Sequence, residues 1–154
     1  MGLKGKMIGQ TVVKHSGVGD VFHDLFSKRP HDLTIASPDK IQGFAQLEGG
    51  IGAVGSMIFW NYTHDGKERV AKQIIEEVDE VKQSIKFRMI EGDLLELYKT
   101  FVITYHVDTD GEDNLVTWTM EYEKLDELGP HPGTLLAFAL HLIEDIEAHH
   151  LNQA

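Results

Sequence analysis

Residues 115–124, LVTWTMEYEK, alternate between apolar and polar side chains along most of their length. A period of two places successive side chains on opposite faces of a β-strand, so this segment has one apolar face and one solvated face. The same alternation recurs in segments 85–89 and 101–107. Turn sequences such as Asp110-Gly111 lie between such runs and favour hairpins. The pattern therefore predicts an antiparallel meander.

Near the C-terminus the apolar period changes to three and four. Residues at this spacing form one stripe of a helix from about residue 133 to 151: Leu135, Phe138, Ala139, Leu142 and Ile146. Such a stripe has to be buried, and the apolar face of the meander is the only large partner. The two periods together predict an α+β chain in which a curved sheet wraps round one long helix. Space left between sheet and helix would form a pocket.

Two shorter helices and one ambiguous segment complete the predicted order. One short helix begins near Asp20, a suitable N-cap, and a second lies between Pro30 and Pro38. Segment 67–83, KERVAKQIIEEVDEVKQ, has apolar residues at helical spacing, so its local pattern favours a helix. Its position between hairpin turns and its Val and Ile content favour a strand instead, and we predict a strand.

Charge and cysteine content exclude several function classes. The 154 residues include 14 basic and 25 acidic side chains, and the net charge of −11 repels nucleic-acid phosphates and anionic lipid. With no cysteine, the chain has no disulfide, thiolate nucleophile or zinc–thiolate site. We expect no signal peptide, because polar residues interrupt the apolar ones in MGLKGKMIGQTVVKH, and no membrane span, because no apolar run is long enough. We expect one domain over residues 1–154, a cytoplasmic location, no nucleic-acid partner and no membrane span.

Five strings occur in a specific order along the chain: GDVFHDLF, EGGIGAVGSMIFWNYTHDGK, IEGDLLELYKTF, VTWTMEYEK and DIEAHHL. In this order they resemble the major latex proteins, a branch of the birch major pollen allergen and pathogenesis-related class ten superfamily of plants. The resemblance covers essentially the whole chain. It implies a helix-grip (START-like) fold, in which a seven-stranded curved antiparallel sheet and two short helices surround a long C-terminal helix and an internal cavity. It also implies a strand for segment 67–83.

The resemblance further implies a role. Members of this family bind and carry or buffer small apolar or amphipathic plant molecules, such as hormones, sterols, flavonoids and fatty acids, and are linked to defence and stress responses. We expect no catalytic residue, cofactor or metal. The candidate ligand-binding residues share a predicted inward orientation: Phe22, Phe59, Ile85, Phe87, Met89, Phe101, Ile103, Tyr105, Trp118, Met120, Tyr122, Leu135, Phe138, Ala139 and Leu142. Their periodicity equally suits a packed core, and the resemblance is what favours a cavity.

A glycine-rich loop, formed by Gly49, Gly50 and Gly52 in EGGIGAVGS, raises the question of a phosphate site. A P-loop needs a lysine directly after its last glycine, but no lysine or arginine occurs between Lys40 and Lys67. A dinucleotide loop needs a following helix, whereas MIFWNYT reads as a strand. We therefore interpret this loop as a tight connector between two strands at the lip of the cavity.

Two alternative functions remain open at this stage. Relatives that condense amines with aldehydes resemble each other in an inward lysine on the last strand, but here that face reads Val116, Trp118, Met120 and Tyr122. A second alternative is a module whose ligand closes a loop onto an unknown protein partner, and the sequence carries no signal for or against it. None of the nine histidines forms a pair at metal-binding spacing.

Overall fold

A computed structural model of the protein describes residues 3–13, 32–50, 53–79, 81–110, 113–129 and 131–153. Its elements in chain order are β1 (Lys4–Val13), α1 (Leu33–Ala36), β2 (Ile41–Glu48), β3 (Met57–His64), β4 (Lys67–Asp79), β5 (Ser84–Gly92), a 3₁₀ turn (Asp93–Glu96), β6 (Tyr98–Asp110), β7 (Asp113–Lys124) and α2 (Gly133–Gln153). The predicted short helix near Asp20, with Phe22, lies outside the described residues.

The strands form one antiparallel sheet in the order β1-β7-β6-β5-β4-β3-β2. From β2 to β7 each strand pairs with the next one along the chain, as a meander predicts, while β1 adds to the edge at β7. Register shifts interrupt the pairing of β2 with β3, β4 with β5, and β6 with β7. Such irregularities bend strands and increase their twist, so they allow the sheet to curve. The predicted α+β helix-grip fold is confirmed.

The long helix α2 packs on the sheet through β1 and β7. A Cβ atom at Gly9 of β1 would lie 3.0 Å from the terminal carbons of Leu136 and Leu140, so the missing side chain is what lets the helix approach this strand closely. Farther along the helix, Ile143 and Ile146 are fully buried. The helix thus covers one part of the inner face of the sheet with direct packing.

Segment 67–83 is a strand over most of its length, β4, which confirms the choice made from its position. Ala71, Gln73 and Ile75 are buried on the inner face, while Val70 on the other face is 40% exposed. The helical spacing of its apolar residues comes from side chains that lie on both faces of a strand. Cross-strand pairing with β3 and β5 decided the structure, and a local pattern does not contain that information.

Candidate ligand-binding site

An apolar cavity of about 100 Å³ lies between the inner face of the sheet and α2. Strands β2 to β7, the 3₁₀ turn and both helices contribute side chains to it. The predicted residues that line the cavity are Phe87, Met89, Ile103, Trp118, Met120, Leu135, Phe138, Ala139 and Leu142. These positions come from three strands and the helix, so the meander and the helix stripe meet where the two sequence periods predicted.

Four predicted residues face inward but do not line the cavity. Ile85, Phe101, Tyr105 and Tyr122 are at most 5% exposed and pack in the core instead. Alternation identifies the inner face of a strand, but it does not say where along that face the space lies. The predicted inward orientation of these four residues is confirmed, whereas their contact with a ligand stays a prediction.

Phe59 was assigned to the wrong face of the sheet. Its neighbours Ile58 and Trp60 are 2% and 8% exposed, whereas Phe59 is only partly buried. Phe59 lies directly opposite Lys72 on the neighbouring strand β4. Successive side chains point to opposite faces, so Phe59 lies on the outer face. The string MIFW is apolar at four consecutive positions, and such a run does not reveal which alternate set is inward.

Several residues that line the cavity were not predicted: Leu33, Ile41, Trp60, Tyr62, Ala71, Gln73 and Leu94. Trp60 and Tyr62 were missed because the opposite phase was chosen for β3. Leu33 and Leu94 lie in short helical segments without a long periodic pattern. Gln73 is polar, and a search for apolar inward positions passes over it.

Gln73 is held in the cavity wall by one buried hydrogen bond. Trp60 Nε1 donates to Gln73 Oε1 over 3.0 Å. The indole nitrogen only donates, so the atom facing it has to be the amide oxygen, and this settles the orientation of the Gln73 side chain. The amide NH₂ group of Gln73 is left for other partners.

Tyr62 brings a hydroxyl to the cavity wall. The residue is 6% exposed, and its ring lies 5.8 Å from that of Phe138 on α2. The buried hydroxyl makes no hydrogen bond with any of the described residues. Burial and, to a smaller extent, Asp93 raise the pKa of Tyr62 while Arg69 lowers it, and the net result is a pKa of about 12. The hydroxyl thus stays protonated at neutral pH.

A polar clamp joins the segment after α1 to α2. Ser37 Oγ and Lys40 Nζ both donate to Asp145 Oδ2 over 2.7 Å. Burial by itself would raise the pKa of the Asp145 carboxyl, but the hydrogen bonds from Lys40 and Ser37 outweigh it and the pKa is lowered. The clamp fixes α1, and with it Leu33 in the cavity wall.

The glycine-rich loop connects β2 and β3, as predicted, but none of its described residues lines the cavity. The Gly55 amide donates to the Ile75 carbonyl over 2.7 Å, and the Ala53 amide donates to Gly50 over 3.1 Å. Gly49 has a φ of +78°, and a Cβ there would lie 2.8 Å from Ser56 Cβ. These amides already have acceptors, so this part of the loop is a tight connector. Gly52 lies outside the described residues.

The inner face of β7 contains one residue more than the four that were predicted for it. Lys124 follows Tyr122 on that face and is 7% exposed, so the inner face of this strand does contain a lysine, which the four predicted residues left out. Lys124 does not line the cavity.

Two further features are absent from the described segments. No group of three or more acidic or histidine side chains there could hold a metal ion. None of the helices there has the length and hydropathy of a membrane span.

Comparison with known proteins adds a sequence relationship. Residues 5–153 match the model of the Pathogenesis-related protein Bet v 1 family. The chain is 45% identical to MLP-like protein 31 of Arabidopsis thaliana, over 98% of this chain and 88% of that protein. It is 44% identical to MLP-like protein 28 of the same plant over 96% of this chain, yet it spans only 44% of that protein.

Solved structures agree with this relationship. The ginseng major latex-like protein 151 from Panax ginseng superposes with a TM-score of 0.93 at 49% identity, over 97% of this chain and 99% of that one. Norcoclaurine synthase from Thalictrum flavum superposes with a TM-score of 0.71 at 20% identity, over 98% of this chain and 88% of that one. The second likeness concerns the fold alone.

Proposed function

Because the chain belongs to the Pathogenesis-related protein Bet v 1 family, in its major latex protein branch, we propose that it binds small apolar or amphipathic plant molecules in the cavity between its sheet and α2. Hormones, sterols, flavonoids and fatty acids are the proposed ligand classes. The protein would carry or buffer them in the cytoplasm, as one ligand-binding domain, during defence and stress responses.

The observation that carries this proposal is the apolar cavity itself. Burial of apolar surface contributes about 25 cal/mol per Å² and has little chemical specificity, so micromolar binding requires a ligand that buries about 330 Å². At about 100 Å³ the cavity is smaller than pockets that hold drug-sized molecules. A sterol would therefore require the walls to move. Met89 and Met120 line the cavity, and their flexible side chains let a wall adapt to different ligand shapes.

Binding is favoured over catalysis by the chemistry of the wall. Among the described residues, no acidic, basic or imidazole side chain lines the cavity. The Tyr62 hydroxyl, with a pKa of about 12, is poorly matched to proton transfer at neutral pH. The structural likeness to norcoclaurine synthase therefore does not favour an enzyme here.

Native mass spectrometry with a mixed panel of plant hormones, sterols, flavonoids and fatty acids tests the proposal. We expect a one-to-one adduct that Phe138→Asp weakens, because this change places a charge in the apolar wall. Ala137→Asp is the matched control, since Ala137 is the exposed neighbour of Phe138 on α2. If the folded protein takes up no member of the panel, or if both variants weaken the adduct equally, the cavity is not the binding site.

A further inference from the structure

We propose that the Tyr62 hydroxyl is the polar anchor of the cavity and donates a hydrogen bond to a neutral oxygen acceptor, such as a ketone carbonyl, on an otherwise apolar ligand. This inference rests on the proposed function, because it requires that ligands enter the cavity. It adds a chemical preference that an apolar wall alone does not have.

The first step is the unpartnered hydroxyl. A buried hydroxyl without a hydrogen bond destabilises a fold, so its presence in the wall needs a reason. Ser56 Oγ and Arg69 Nε are also buried without a partner among the described residues, but neither residue lines the cavity. Tyr62 both lines the cavity and has a buried hydroxyl without a hydrogen-bond partner among the described residues. A bound ligand would supply the missing partner.

The second step is the direction of the hydrogen bond. A tyrosine hydroxyl is protonated at neutral pH, and the raised pKa of Tyr62, about 12, keeps it so over a wider pH range, so the group is available as a donor. Gln73 contributes a second donor to the wall, because Trp60 occupies its amide oxygen. The polar side chains Tyr62 and Gln73 therefore both offer donors, and an acceptor on the ligand is the complementary group.

The third step concerns charge. Arg69 lies directly opposite Tyr62 on β4, and Asp93 follows β5. Asp93 raises the pKa of Tyr62 and Arg69 lowers it, so charges of both signs act on this hydroxyl and neither sign of ligand charge is complemented there alone. A charged group of either sign would also have to lose its hydration in an apolar cavity. A neutral oxygen avoids both penalties.

Cyclohexanone and methylenecyclohexane are suitable probes, because they share one shape and differ in whether the double bond ends in oxygen or CH₂. The chain has two tryptophans, Trp60 and Trp118, and both line the cavity. Their two indole N–H signals in ¹H–¹⁵N NMR spectra therefore report occupancy directly. In Tyr62→Phe we expect the affinity for cyclohexanone to fall about five-fold, the value of one ordinary hydrogen bond, while the affinity for methylenecyclohexane is retained.

Tyr62→Phe should also raise the melting temperature of the ligand-free protein, because it removes the unpartnered hydroxyl. Tyr122→Phe is the matched control. The Tyr122 hydroxyl lies 2.6 Å from His131 Nδ1 and outside the cavity wall. We expect this variant to lower the melting temperature and to leave the affinity for both probes unchanged.

The outcomes separate the two proposals. If neither probe shifts the indole signals of the wild-type protein, cavity binding fails and the anchor fails with it. If both probes bind but Tyr62→Phe leaves the affinity for cyclohexanone unchanged, the anchor alone is overturned. A melting temperature that falls in Tyr62→Phe as it does in Tyr122→Phe would mean that the protein itself uses the hydroxyl, which also overturns the anchor.

Discussion

Two aromatic regions inside the protein differ although each contains a buried tyrosine and a buried phenylalanine. In the aromatic cluster of Tyr98, Phe101, Tyr122 and His131, ring centroids of neighbouring pairs lie 5.1–6.2 Å apart. The cavity wall around Tyr62 leaves open space instead. Tyr122 is 5% exposed and Tyr62 is 6% exposed, so burial does not distinguish the two regions.

The difference lies in the partners of the polar atoms. In the aromatic cluster the Tyr122 hydroxyl has the imidazole of His131 within 2.6 Å. In the cavity wall the Tyr62 hydroxyl has no such partner among the described residues. A region whose contacts and hydrogen bonds are complete holds the fold together, whereas a region with space and a free donor can hold something else.

The largest contrast is expected from removal of one ring in each region. Phe101 is fully buried in the aromatic cluster, so Phe101→Ala should lower the free energy of unfolding by about 3–5 kcal/mol, the usual cost of a new cavity. Phe138 already borders open space and is only partly buried, so Phe138→Ala should cost about half as much. Urea denaturation measures both values. Equal losses would mean that the cavity wall is packed like the cluster.

A smaller effect is expected at the hydrogen bond within the wall. Gln73→Leu removes the acceptor of the Trp60 indole and leaves that N–H buried and unpaired, which should cost about 1–3 kcal/mol. Trp60→Phe combined with Gln73→Leu removes both partners, so the double variant should lose less than the two single losses added together. A double-mutant cycle by urea denaturation measures this coupling. Additive losses would show that the bond does not stabilise the wall.

The regions also differ in how far the sequence predicted them. Strict alternation in β7 correctly placed Val116, Trp118, Met120 and Tyr122 on the inner face. It could not show that Trp118 borders space while Tyr122 packs on rings, because that depends on sheet curvature and the position of α2. The apolar run MIFW concealed the phase of β3, so Phe59 was placed inward. Gln73 carried no apolar signal, and its place in the wall is set by its bond to Trp60.

The smallest expected effect concerns the clamp that holds α1 over the cavity wall. Because the pKa of Asp145 is lowered below 3.8 in the folded protein, the ionised carboxylate stabilises the fold above that value, and this contribution is lost as the pH falls below about 4. The Asp145 side chain is 37% exposed, so solvent screening limits the contribution to about 1 kcal/mol or less. Asp145→Asn should therefore lower the melting temperature slightly at pH 7, and the difference from the wild-type protein should shrink towards pH 3.

Glu144→Gln is the control, since Glu144 is the exposed neighbour of Asp145 on α2. A difference that stays constant from pH 7 to pH 3 would show that ionisation of Asp145 does not stabilise the clamp, and α1 would then be held by the apolar contacts of Leu33 alone.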